Sequence, residues 1–62
     1  MSKFEYVQSV KVEIASMKAE IEKLEAAEPT VENLKKVNAI AKRAKELKIY
    51  LRQYCRKYGM AA

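Results

Sequence analysis

The sequence has no histidine, no tryptophan, one cysteine, one glycine and one proline among its 62 residues. Each shortage excludes something. Without histidine there is no imidazole to serve as a near-neutral base or to complete a nucleophilic pair. With Cys55 alone, no disulfide can close within the chain. The carboxylates are scattered and have no histidine beside them, so no metal site is expected, and no cofactor either. A single glycine cannot build a glycine-rich phosphate loop. These shortages predict a protein that is not an enzyme and has no small-molecule substrate. No apolar run approaches the roughly 18 residues of a membrane span. The opening Met1-Ser2-Lys3-Phe4 lacks the apolar core of a secretion signal. A lone free cysteine with no export signal predicts a cytoplasmic location.

What remains is rich in Ala, Glu, Lys and Leu, the residues that favour helix. The length allows one domain, spanning 1–62. Ser2-Lys3-Phe4-Glu5 reads as a capping box, in which the serine hydroxyl accepts from the Glu5 amide and Glu5 can return the bond. From there Val7, Val10, Ile14, Met17, Ile21 and Leu24 alternate spacings of three and four. That alternation places them on one face of a helix, at the a and d positions of a heptad. The first helix is predicted over 3–27. Pro29 disfavours helix at the residue before it, so Glu28-Pro29-Thr30 is the turn. Thr30 can cap a second helix over 31–58, with Glu32 in its first turn. Its seam reads Val37, Ile40, Ala44, Leu47, Leu51, Tyr54 and Tyr58. Gly59 falls where a left-handed C-cap belongs, and Met60 can fold back onto the last turn.

The two seams match in antiparallel register. Leu24 faces Leu34, Ile21 faces Val37, Ile14 faces Ala44 and Val7 faces Leu51, every pair summing to 58. A short loop forces neighbouring helices antiparallel. The expected fold is therefore all-α, an antiparallel two-helix hairpin. A chain this short buries a small core and relies on disulfides, metal or association. Association is what the composition leaves. A homodimer forming a four-helix bundle would cover the remaining apolar residues, and a hetero-complex would do so equally well.

Charge divides the chain. Residues 1–28 carry four lysines against six glutamates, a net −2. Residues 29–62 carry nine lysines and arginines against two glutamates, a net +7. On the second helix Lys35, Lys42, Lys45, Arg52 and Arg56 occupy the b and f positions, opposite the seam. They form one outward stripe, interrupted by Asn38 and Ile49 and flanked at g by Lys36, Arg43 and Lys57. At about 1.5 Å of rise per residue the stripe is about 30 Å long, enough to follow a nucleic-acid backbone. Arginine adds bidentate phosphate contacts. A charged helix face also serves simply as a solvated surface, or pairs with the acidic first helix through Glu13 and Glu20.

Tyr50, Tyr54 and Tyr58 fall four apart among these cations. Tyr54 and Tyr58 sit at d and a, so they are expected to pack in the seam near Phe4. Tyr50 sits at g, where an exposed ring can stack on an unpaired base. Tyr6, at g of the first helix, is placed to meet Tyr50 or a second subunit. Cys55, at e, is expected to be a small buried apolar residue. The candidate nucleic-acid-binding residues are Lys35, Lys42, Lys45, Tyr50, Arg52 and Arg56, with RNA the favoured ligand. The rival expectation is a module that docks a helix face onto an acidic protein, as a phage-encoded antagonist would.

The length, central turn and matched heptads resemble the architecture of the Rop type, plasmid RNA-binding proteins that dimerise as four-helix bundles. The resemblance covers the shape of the chain and no diagnostic motif. It implies a small dimeric regulator. Rop-type proteins bind through the first helix, whereas the basic face here is on the second, so no functional residue carries over.

Overall fold

The computed structural model describes residues 2–61. Two helices, α1 (Lys3–Ala26) and α2 (Val31–Tyr58), form a hairpin. No strand occurs among the described residues. Among those residues no helix is long and apolar enough to cross a membrane.

The ends follow local chemistry. The Ser2 hydroxyl accepts from the Glu5 amide at 3.1 Å, and Thr30 Oγ1 accepts from the Asn33 amide at 3.1 Å. Each satisfies an amide that the first helical turn would otherwise leave unpaired. α1 stops at Ala26, one residue before the expected end. Ala27 is already extended, with φ −81° and ψ 177°, and its N–H bonds back to Leu24. Pro29 forbids helix just beyond, so the chain straightens early. The Glu28 carbonyl then accepts twice, from the Thr30 amide at 2.8 Å and from Asn33 Nδ2 at 2.9 Å. Asn33 thereby ties the turn to α2 with both its backbone and its side chain.

At the other end Gly59 is left-handed, with φ 65° and ψ 31°. The next amide, Met60 N–H, donates to the Cys55 carbonyl at 2.8 Å, and Met60 packs against the core. A Cβ on Gly59 would meet nothing within 4 Å, so only the backbone opposes a larger residue there. Gly59→Ala should therefore cost about 1 kcal/mol, the price of left-handed backbone for an L-residue. Thermal unfolding followed by circular dichroism should show a midpoint lower by about 4–8 °C.

The seam holds the helices together, but unevenly. Val7, Val10, Ile14, Leu51 and Cys55 form a buried cluster, with Leu47, Tyr54 and Met60 packed against it. Val7 and Cys55 are each only 2% exposed. Full burial of such side chains is worth about 1.5–3 kcal/mol apiece. Towards the turn Met17, Ile21, Leu24, Val37 and Ile40 are only half-buried. Two open clefts of about 290 and 540 Å³ flank Leu24 and Ala27 there. The core thus lies in the half of the hairpin that carries the chain ends.

Cross-helix contacts report the register. Glu13–Arg43, Tyr6–Tyr54 and Lys3–Tyr58 contacts sum to 56, 60 and 61, bracketing 58. The result is a rod of 42 by 16 by 15 Å. Its radius of gyration is 13.9 Å, against about 10.5 Å for a compact domain of this length.

Candidate nucleic-acid interface

α2 projects its cations because the seam claims the opposite side. At 3.6 residues per turn the b and f positions lie farthest from a and d. Lys35, Lys42, Lys45, Arg52 and Arg56 are all exposed. Among the described residues one ion pair forms, Arg43 Nη2 to Glu13 Oε1 at 3.9 Å, with both side chains largely in water. An exposed pair of that length contributes little to stability. It also belongs to the flank rather than to the stripe. The five stripe cations therefore keep their charge and their donors for solvent or a ligand.

Tyr50 stands beside the stripe and is 60% exposed. It makes no ring contact with Tyr6. The Tyr6 ring instead lies on Tyr54, with centroids 4.6 Å apart and planes tilted by 43°. Tyr54 in turn meets Tyr58 at 4.7 Å. Tyr54 is half-buried, as a seam residue should be, but Tyr58 remains 40% exposed. Phe4, expected beside them, points away and is 65% exposed. The hairpin ends at this level, so the last a position has no further turn of α1 to cover it. Desolvation raises the Tyr54 phenol above the ordinary tyrosine range, and Tyr58, Tyr6 and Cys55 push it the same way.

No family model, no characterised protein and no solved structure matches the chain. What the basic face does must follow from its own chemistry.

Cys55 is buried, with Sγ 3.7 Å from the Ala61 carbonyl, so no reactive thiol faces solvent. Among the described residues no three metal-ligating side chains gather. Two cations outside the expected set gather at the open end of the hairpin, away from the stripe. Lys3 Nζ lies 4.3 Å from the Tyr58 ring centroid, and Lys57 Nζ lies 5.4 Å from it. Lys3 is on α1, and only the folded hairpin brings it to α2. The register carried a signal for it, since antiparallel pairing about 58 places Lys3 near residue 55 and one turn from Tyr58.

Proposed function

We propose that the protein binds nucleic acid, RNA in preference, through the basic face of α2. One observation carries this reading: five exposed cations, Lys35, Lys42, Lys45, Arg52 and Arg56, share one helix face and pair with no carboxylate of the described residues. A phosphate backbone is the polyanion that a straight stripe of about 30 Å fits. RNA is favoured because Tyr50 offers an open ring beside the stripe, and unpaired bases are commonest in RNA loops and ends.

The same reading includes a homodimer, packed as a four-helix bundle. The chain exposes 5030 Å², against about 4,100 Å² for a compact monomer of its mass. The half-buried seam towards the turn is the apolar edge that a second copy would cover. The net charge of the α2 half opposes pairing of two basic faces, so the stripes stay outward. A single buried thiol and this ligand class fit the reducing cytoplasm.

Ile49 favours a second reading. It is 44% exposed within the stripe, between Lys45, Arg52 and Arg56. An apolar anchor ringed by cations also fits an acidic protein surface.

Filter binding across a salt series separates the two readings. If five cations neutralise phosphates, log affinity falls with log salt by a slope of about 3.5–4.5. No retention of RNA or DNA at micromolar protein in about 150 mM salt would move the stripe to the acidic-protein reading. Sedimentation equilibrium at micromolar concentration should give about twice the 7.1 kDa chain mass. A folded 7.1 kDa species would remove the dimer.

A further inference from the structure

We propose that one long edge of the hairpin, marked by Lys11 and Lys18 on α1 and by Leu34 and Lys48 on α2, docks an acidic amphipathic helix of a protein partner. This edge is separate from the outward stripe of α2, and the proposal does not depend on what the stripe binds.

An antiparallel hairpin has two edges, because e positions meet e positions across the seam and g positions meet g positions. The g edge satisfies itself. Glu13 and Glu20 on α1 stand level with Arg43 and Lys36 on α2, and the Glu13–Arg43 pair forms. The e edge does not. There Lys11 stands level with Lys48, and Lys18 with Ala41. No carboxylate of the described residues forms an ion pair with Lys11, Lys18 or Lys48. Like charges set level across a seam repel, so this edge gains from opposite charge supplied by a partner.

The same edge is apolar towards the turn. An open cleft of about 290 Å³ lies there, with Leu24, Ala27, Pro29, Leu34 and Val37 among its walls. Leu34 is 56% exposed on its rim. Ala41, the next e residue, is too small to close the seam, and Val37 and Ile40 stay half-buried beside it. An apolar cleft followed along one line by cations fits a helix with an apolar stripe and carboxylates beside it. Leu34 and Lys48 are about 21 Å apart along α2, or about four turns of such a helix. A phosphate backbone would answer the lysines and leave the cleft empty. A second copy set on this edge by its own e edge would bring lysine to lysine. The g edge, with its own cleft beside Glu20 and Ala27, remains for that copy.

The probe is a fluorescein-labelled peptide of about 20 residues, with leucine at a and d and glutamate at e and g. Its counterpart carries lysine in place of glutamate. Fluorescence anisotropy should show the acidic peptide binding the full chain at least about tenfold more tightly than the counterpart. Leu34→Glu should weaken the acidic peptide about tenfold or more, through loss of the apolar anchor. Lys18→Glu with Lys48→Glu should weaken it by about as much. All three residues are exposed, so helicity should hold, which circular dichroism checks. Lys45→Glu with Arg52→Glu changes net charge equally on the stripe, and should leave the peptide affinity within about twofold. If a variant loses helicity, chemical-shift mapping on the unaltered protein decides, with signals at Lys11, Lys18, Leu34 and Lys48 expected to move. No binding of the acidic peptide, equal losses in the two charge reversals, or shifts confined to the stripe would overturn the docking edge.

Discussion

Ile14→Asp should unfold the hairpin. Ile14 is 8% exposed, in the buried cluster with Val7, Val10, Leu51 and Cys55. Among the described residues no cation is buried beside it, and no buried polar side chain is available to accept the charge. An uncompensated carboxylate there costs several kcal/mol. The aspartate also removes most of the apolar contact that Ile14 supplies, about 1.5–3 kcal/mol in itself. A two-helix core has little to lose. Most helical stability in a protein comes from packing of the apolar face, so losing the seam means losing the helices. Circular dichroism at 222 nm should fall towards a coil spectrum at neutral pH. Leu51→Asp, in the same buried cluster, should do the same. Asp at Leu47, only half-buried, should do less, because its carboxylate can reach water. Full helicity in Ile14→Asp would refute the seam.

Reversing Lys45 and Arg52 to Glu should nearly abolish nucleic-acid binding and leave helicity intact. Both side chains are exposed, and neither is in an ion pair of the described residues, so nothing in the fold depends on them. Lys, Arg and Glu differ little in helix propensity. Two phosphate contacts are lost and two repulsions appear in the middle of the stripe. Affinity should drop by about a hundredfold or more at moderate salt. Net charge alone also weakens binding, because the double reversal takes the chain from +5 to +1. Lys18→Glu with Lys23→Glu makes the same change on α1, where both residues are exposed. That control should lose far less. Equal losses in the two pairs would mean that net charge acts without a defined face.

The helices were legible in the sequence because their signals are local. Ser2, Thr30 and Gly59 each act within one turn of the residue they cap, and all three do so in the structure. The seam was legible because an alternating spacing of three and four allows one face only. The outward set was legible for the same reason, since b and f are fixed once a and d are known. The extent of burial was not. A heptad position states where a side chain points, not whether anything lies there. Tyr58 holds an a position yet stays open, because the partner helix ends beside it. Phe4 is apolar and in the first turn, yet its direction takes it off the seam. Tyr6 at g reaches Tyr54 rather than Tyr50, since a long ring on the flank leans across the interface. The second bond of Asn33, to the Glu28 carbonyl, depends on how early α1 stops. None of these follows from periodicity, and the aromatic end of the molecule is built from them.

The central claim is that the outward face of α2 meets the phosphates. Chemical-shift mapping of the isotope-labelled protein during titration with an RNA oligonucleotide tests it most directly. The predicted result is a set of perturbed signals at Lys35, Lys42, Lys45, Tyr50, Arg52 and Arg56, with Val12, Ala15 and Ala19 on the outer face of α1 unmoved. Perturbations confined to α1, or none at saturating RNA, would contradict it.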